Sequence, residues 1–402
     1  MGTDYIEVPH RRLFLSSLIM SSFASGPISV LASLLLIDIG STFDTSVGVT
    51  GQLNTIYSIA ALIVALLMGV LSTRFRHKSL FLTGLVLMLV SAMGCYLAPD
   101  FLTMMLSFSL SGVGYAMVNP MAFALVGKHL PVGRRPNAVG GIVAGGALVY
   151  VVGAPIIALV AGVGGWRLPL AGFVAPVLVF GFLFSSVGLP SVRAGEEPRA
   201  EKGTYYRSFK EVFTSRSAVA CLLGDLLRSA SFVAVVFYSA SFVRQRFQAS
   251  TDVASVVIIA AAMSYVIGSL VSGSIVNRLG RKPSVVLAAL MAGPFTAAFV
   301  FAPDFYVSVA LVIIASWFFG LVASAANSLT LEQAPRFRGT MMSIDTAALN
   351  FGSAVGTVVG GLALLLFGYE GLGIILGALC IVGAIIWGLF AIDPTMTSEV
   401  SA

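Results

Sequence analysis

The chain alternates between long apolar runs and short polar segments from residue 13 to residue 392. Most of the runs are long enough for a helix to cross a hydrocarbon layer ~30 Å thick, which takes about 20 residues. The pattern therefore predicts an all-α membrane protein with twelve transmembrane helices. Six are expected at 13–37, 52–73, 79–98, 102–127, 138–163 and 168–189, and six at 217–243, 253–276, 284–301, 305–330, 340–367 and 371–392.

Composition agrees with an integral membrane protein. Hydrophobic residues make up 58% of the chain and charged residues only 10%, whereas about a quarter of the residues in a soluble domain are charged. The net charge of +6 could suggest a nucleic-acid partner. Because the basic residues lie between the apolar runs, we expect the lipid bilayer to be the partner and no nucleic acid.

A repeat divides the chain into two halves. The tetrapeptide Ala-Pro-Asp-Phe occurs at 98–101 and again at 302–305, about half of the 402-residue chain further on. The same offset relates Arg74, Lys78, Pro131 and Arg134 to Arg278, Lys282, Pro335 and Arg338. The repeat predicts an N-terminal six-helix bundle at 1–190 and a C-terminal one at 217–402. Because six is even, the two bundles are expected to be parallel, related by an axis along the membrane normal.

The residues between the bundles and the basic loops predict the orientation. The linker, 191–216, contains "YYRSFKEVF", whose basic and aromatic spacing predicts an amphipathic helix on the membrane surface. Nearly all of the 23 Lys and Arg residues fall in the N-terminal tail, this linker and the loops of one side; the exceptions are Arg167, Arg228, Arg244 and Arg246. The positive-inside rule then predicts a multi-pass protein of the cell membrane with both termini in the cytoplasm.

Local motifs resemble the major facilitator superfamily. The segments "GVLSTRFRHK" (69–78) and "GSIVNRLGRK" (273–282) are similar to its loop signature, Gly-x-Leu-x-Asp-Arg-x-Gly-Arg-Lys. "GAPIIALVAGVGGWR" (153–167) resembles the fifth-helix motif of the drug:proton antiporter branch, and "LLIDIGSTFDTS" and "APRFRGTMMSIDTAALNFGSAVG" resemble the end of its first helix and the start of its eleventh. The resemblance covers nearly the whole chain. It implies the major facilitator fold and transport by alternating access, with two bundles rocking about a central site.

Residues that match the family motifs are predicted to act in gating. The signature Asp is replaced by Thr73 in the first half and by Asn277 in the second, each followed by the expected Arg74 or Arg278. Without the carboxylates, the latch that the family implies on the cytoplasmic side should be weak. Phe108 also stands where proton antiporters usually carry an arginine, so the coupling ion remains open.

The fifth span supplies two further gating candidates. Gly153 permits a close helix approach, and Pro155 removes a backbone donor and bends the helix. A tight helix contact without any gating role is the alternative.

Charged residues inside the spans are the main candidates for substrate binding or coupling, because a charge in the hydrocarbon is costly. If the seventh span begins near Ser217, Asp225 and Arg228 lie about 12 and 16 Å along it at 1.5 Å per residue. Three residues apart, they share a helix face with Phe232. Asp345 is a third candidate. The alternative is a neutralised structural pair that closes a helix contact.

Amides and one tyrosine inside the spans are weaker candidates. They can contact substrate or, as is more common, hydrogen-bond to a neighbouring helix. They are Asn54, Tyr57, Asn119, Asn327 and Asn350.

The sequence favours a transporter over an enzyme. It contains no Gly-x4-Gly-Lys-Ser/Thr loop for ATP, and we expect no catalytic residues, no metal site and no cofactor. The leading hypothesis is a monomeric secondary transporter that exports a small amphipathic organic compound as an antiporter, with protons as a candidate coupling ion. The alternatives are an uptake carrier or facilitator of an organic anion, with Arg228 holding the carboxylate, and a lipid flippase.

Overall fold

The computed structural model describes residues 11–130, 135–190, 204–334 and 338–393, and every regular element among them is helical. The α-helices in chain order are α1 Arg11–Ala24, α2 Pro27–Leu34, α3 Leu36–Thr42, α4 Val47–Thr50, α5 Gln52–Arg74, α6 His77–Leu97, α7 Phe101–His129, α8 Arg135–Leu148, α9 Ala154–Gly164, α10 Ala175–Gly188, α11 Thr204–Thr214, α12 Arg216–Arg246, α13 Thr251–Leu279, α14 Arg281–Ala298, α15 Phe305–Leu331 and α16 Arg338–Phe390. Helix α11 is the linker helix.

The described residues contain eleven helical stretches that are long and apolar enough to cross a membrane. The last, Thr340–Phe390, has 51 residues and is twice the usual length. Gly368 interrupts it with φ 67° and ψ −164°, a conformation open essentially only to glycine. The stretch therefore holds two spans, and the predicted all-α membrane fold with twelve spans is confirmed.

Prolines lie at three of the interruptions within the predicted spans. The predicted first span, 13–37, is broken because α2 begins at Pro27, after Gly26. Short π-helical segments, Val149–Gly153 and Leu170–Val174, precede Pro155 and Pro176. Proline lacks the N–H that would bond to the preceding turn and its ring crowds that turn's carbonyl, so the backbone widens locally into a π-bulge.

The chain separates into two compact units. Unit 1 contains 1–44 and 56–199, and unit 2 contains 45–55 and 200–402. The short segment Thr45–Thr55, with α4 and the first residues of α5, thus clusters with the second half of the chain although the repeat assigns it to the first. Within this segment, Thr55 Oγ1 lies 2.9 Å from Thr357 Oγ1 of α16.

The two Ala-Pro-Asp-Phe motifs are helix N-caps. Asp100 precedes α7 with φ −142° and ψ 166°, and its side chain accepts a 2.8 Å hydrogen bond from the Thr103 backbone N–H. Asp304 precedes α15 with φ −141° and ψ 169° and accepts a 2.9 Å bond from the Val307 N–H. The repeated tetrapeptide is therefore a repeated local structure, placed at the start of the equivalent helix in each half.

Candidate substrate and coupling site

Close packing of α12 against α16 builds the charged cluster of unit 2, which consists of Asp225, Arg228 and Asp345. A Cβ on Gly352 would meet the Leu226 carbonyl, and a Cβ on Gly356 would meet the Ala230 carbonyl. Glycines four residues apart form one stripe, and this stripe lets the two helix backbones approach. Asp345 lies two helical turns before Gly352 on the same stripe, which directs it towards α12.

Asp225 is the centre of this cluster. Its Oδ1 accepts a 3.0 Å hydrogen bond from Arg228 Nε, and its Oδ2 accepts a 3.1 Å bond from Thr330 Oγ1 of α15. Asp225 is 0% exposed and Arg228 is 5% exposed. The structure thus joins the two residues that the sequence placed on one helix face, and α15 supplies a second hydrogen bond to the carboxylate.

Asp345 brings a second carboxyl group to the same place. It is 1% exposed, and neither of its oxygens accepts a hydrogen bond from a donor in the described residues. Its carboxyl group lies close enough to that of Asp225 for a hydrogen bond between the two. The cluster therefore contains two carboxyl groups and one guanidinium, and the charges do not balance if both carboxyl groups are ionised.

Aromatic rings lie next to Arg228. Phe232 stacks on Tyr265 of α13 with ring centroids 4.7 Å apart and planes 20° apart, and it also contacts Phe319 of α15 at 5.1 Å. The Tyr265 side chain lies beside Arg228. The predicted Phe232 thus forms, with Tyr265 and Phe319, an aromatic wall next to the charged pair.

A second polar and aromatic cluster lies in unit 1. The Tyr57 ring lies 5.8 Å from Phe108 and 6.0 Å from Tyr115, between centroids. Asn119 Nδ2 donates a 3.0 Å hydrogen bond to the Tyr115 hydroxyl, one turn away on α7. Close packing holds Tyr57, because a Cβ on Gly112 would meet the Tyr57 carbonyl. The structure therefore brings Tyr57 and Asn119 together, which their separation in sequence did not indicate.

Tyr57 and Tyr265 make the same kind of backbone contact in the two units. The Tyr265 carbonyl faces Gly320 of α15 as the Tyr57 carbonyl faces Gly112 of α7. Each unit thus has a tyrosine whose backbone is held against a glycine and whose ring borders a polar cluster.

The remaining amide candidates are dispersed. Asn54 is buried in the segment that clusters with unit 2, and its Nδ2 donates a 3.2 Å bond to Ser353 Oγ. Asn350 Nδ2 donates to the Thr346 carbonyl of its own helix at 2.9 Å. Asn327 is exposed on α15. The amides of Asn54 and Asn350 therefore bond to groups outside the charged cluster, and a substrate-binding role for these three residues stays a prediction.

The gating candidates receive uneven support. The side chains of Thr73 and Arg74 lie outside the described residues, although both belong to α5. Asn277 and Arg278 are exposed at the end of α13. Gly153 ends a π-helical segment and has ordinary space for a Cβ, with Val149 Cγ1 at 3.5 Å.

Gly145 of the fifth span makes a closer helix contact than Gly153. A Cβ on Gly145 would lie 2.6 Å from the Ile19 carbonyl of α1, in the same unit. Pro155 follows the π-helical segment at the start of α9. The gating role of Gly153 and Pro155 stays a prediction.

The end of the fifth-span motif forms hydrogen bonds to two neighbouring helix ends in unit 1. Trp166 Nε1 donates a 2.8 Å hydrogen bond to Thr42 Oγ1, and Arg167 Nη2 donates a 2.7 Å bond to the Ala98 carbonyl of the first Ala-Pro-Asp-Phe motif. The Arg167 guanidinium also lies over the Trp166 ring, 5.2 Å from its centroid. Three separate motifs of the sequence therefore meet at one end of this unit.

Thr330 and Tyr265 border the charged cluster but were not among the sequence candidates. A threonine near the end of a span carries no signal of its own. The offset that relates Arg74 to Arg278 pairs Tyr57 with Ala261, one helical turn before Tyr265, so the sequence repeat did not indicate Tyr265. Among the described residues, no group of three or more His, Cys, Asp or Glu side chains could hold a metal ion.

The fold and the two buried clusters define an integral membrane protein of the transporter type, built from two helical units with polar groups inside. The Major Facilitator Superfamily model matches residues 14–262 and 226–402. The chain belongs to this superfamily, which consists of membrane transporters rather than enzymes.

Two relatives with similarity along most of their length are MFS-type transporters of Bacillus subtilis (strain 168). YceJ is 24% identical over 84% of this chain and 86% of its own length, and YwfA is 23% identical over 92% and 90%. A probable sugar efflux transporter of Helicobacter acinonychis (strain Sheeba) is 24% identical over 96% of each chain.

Solved structures agree on the fold. A D-xylose-proton symporter matches with a TM-score of 0.79 at 18% identity, covering 96% of this chain and 98% of its own. The nucleoside transporter NupG matches with a TM-score of 0.78 at 14% identity, covering 94% and 99%. At these identities the likeness concerns the fold alone.

Proposed function

We propose that this chain is a secondary active transporter that exports a small amphipathic organic compound by alternating access, in the cell membrane and with both termini in the cytoplasm. The observation that carries the proposal is the cluster of Tyr57, Phe108, Tyr115 and Asn119 inside unit 1. Aromatic faces with hydroxyl and amide groups at their edges suit a compound that has both apolar and hydrogen-bonding surfaces.

Two similarities favour export as the direction. The fifth-span motif resembles that of exporters, and one relative is named as a probable sugar efflux transporter. We place Phe232 and Tyr265 in the second substrate-contacting surface, since these stacked rings border the charged cluster of unit 2. Thr73, Arg74, Asn277 and Arg278 are proposed to control closure on the cytoplasmic side.

Uptake of an organic anion is the second candidate. It is favoured by a single observation, the guanidinium of Arg228 next to the aromatic wall. Arg228 is, however, bonded to Asp225 at 3.0 Å. A substrate carboxylate would have to displace an anion that is held on the same helix face, so we favour export.

Accumulation in whole cells tests the proposal. Cells that express the chain should accumulate less of at least one compound from a panel of radiolabelled monosaccharides and fluorescent amphipathic cations. Tyr57→Phe and Asn119→Ala should abolish the difference. Tyr306→Phe is the matched control, because Tyr306 is 82% exposed. Equal accumulation with and without the protein across the panel contradicts export, and increased accumulation of an anion supports uptake.

A further inference from the structure

The charged cluster of unit 2 has one more acid than it has bases. Arg228 Nε is committed to Asp225 Oδ1 at 3.0 Å, and Thr330 Oγ1 donates to Asp225 Oδ2 at 3.1 Å. Asp345 adds a second carboxyl group that is 1% exposed and accepts no hydrogen bond from a described donor. An ionised carboxylate buried without a partner is strongly disfavoured.

The two carboxyl groups can be partners for each other only if one of them carries a proton. Two carboxylate oxygens are both acceptors and repel each other, whereas a carboxylic acid donates to a carboxylate. Pairs of carboxyl groups that share a site hold one proton between them for this reason. Asp225 and Asp345 lie close together, and the oxygens of Asp345 accept no hydrogen bond from a described donor. Both observations are explained if one of the two carboxyl groups carries a proton.

We propose that Asp225 and Asp345 share one exchangeable proton and, with Arg228, form the proton-binding site of this transporter. With the proton bound, one carboxylate, one carboxylic acid and one guanidinium have no net charge. Release of the proton leaves one negative charge in the interior, where it is costly unless water or a cation reaches it. Its use in transport rests on the proposed function, whereas binding of the proton does not.

The other titratable groups near the cluster do not alter this balance. Tyr265 of α13 lies beside Arg228 and can donate but carries no positive charge. Cys221 of α12 and Cys380 of α16 are buried thiols. Asp393, near Cys221, has its own partner, because its Oδ1 lies 3.6 Å from Arg281 Nη1. Arg228 is the one cation found among the described residues that surround the two carboxyl groups.

Infrared spectroscopy of the purified full-length protein in detergent tests the proposal without any substrate. At neutral pH the wild-type protein should show the C=O stretching band of a protonated carboxylic acid, and the band should shift to lower frequency in D2O. Asp345→Asn should remove the band. Asp225→Asn should also remove it, because Arg228 and Asp345 then balance each other without a proton.

Asp393→Asn is the matched control and should leave the band in place, since Asp393 is a buried carboxylate with an arginine partner. A wild-type spectrum without the band overturns the proposal, and so does a band that persists in either Asp345→Asn or Asp225→Asn. If one variant cannot be purified, the wild-type protein and the other variant still decide. Failure of the export assay leaves this result unaffected, and absence of the band leaves export standing.

Discussion

Arg228 lies one helical turn beyond Asp225, and its Nε donates a 3.0 Å hydrogen bond to Asp225 Oδ1. Arg228→Ala should destabilise the protein strongly, because removal of one partner of a buried ion pair costs about 3–5 kcal/mol. The double variant Asp225→Ala/Arg228→Ala should be more stable than the single one, since the remaining Asp345 can hold a proton and the cluster then contains no unpaired charge. Thermal unfolding in detergent measures both.

Arg228→Lys serves as the control for charge alone. It keeps the positive charge but loses the planar group that presents Nε to the carboxylate, so its stability should lie between that of the wild type and that of Arg228→Ala. A double variant that is less stable than Arg228→Ala would contradict a pair held mainly by mutual neutralisation.

Thr330→Val removes one hydrogen bond to Asp225 while keeping the shape of the side chain. Hydrogen bonds to charged groups contribute about 1.5–3 kcal/mol, so the unfolding temperature should fall measurably. Thr346→Val is the comparison, because Thr346 is exposed on α16 and donates only within its own helix. Equal effects of the two substitutions would argue that Thr330 does not stabilise the carboxylate.

The two N-caps should be equivalent in stability as they are in geometry. Asp100→Ala and Asp304→Ala should each destabilise the protein by ~1 kcal/mol, the usual cost of losing a cap. Asp100→Asn and Asp304→Asn should remain near the wild type, since asparagine caps a helix equally well. Thermal unfolding of the four variants measures these effects. Unequal losses of stability in Asp100→Ala and Asp304→Ala would contradict the prediction.

Gly112→Ala and Gly320→Ala test the backbone contacts that hold Tyr57 and Tyr265. Each new Cβ would collide with a tyrosine carbonyl, and such overpacking costs roughly 1–3 kcal/mol. Gly162→Ala is the control, because no heavy atom lies within 4 Å of its ideal Cβ position. If Gly162→Ala lowered the unfolding temperature as much, a general effect of alanine would replace the packing explanation.

The spans and the class of fold could be predicted from the sequence because they depend on local apolar length. The bounds of α12, Arg216–Arg246, extend the predicted 217–243 by only a few residues. The interruption of the first span at Gly26 and Pro27 was not predicted, although proline at a helix start gives a local signal.

The candidate site was predictable only where its residues share one helix. Asp225 and Arg228 follow from a spacing of three, and the structure adds Thr330 from α15, Tyr265 from α13 and the approach of Asp345. Those contacts depend on which helices neighbour α12 and on how they are rotated. Glycine stripes such as Gly352 and Gly356 favour a close helix contact, but they do not identify the helix that packs against them.

The three cysteines of the chain have a practical consequence. Cys95, Cys221 and Cys380 are all free thiols, at most 1% exposed. Water-soluble maleimides should therefore leave the folded wild-type protein unlabelled. Single cysteines introduced at exposed positions could then carry fluorophores or spin labels without prior removal of the native ones, so that distances between chosen helices can be followed in an otherwise unaltered chain.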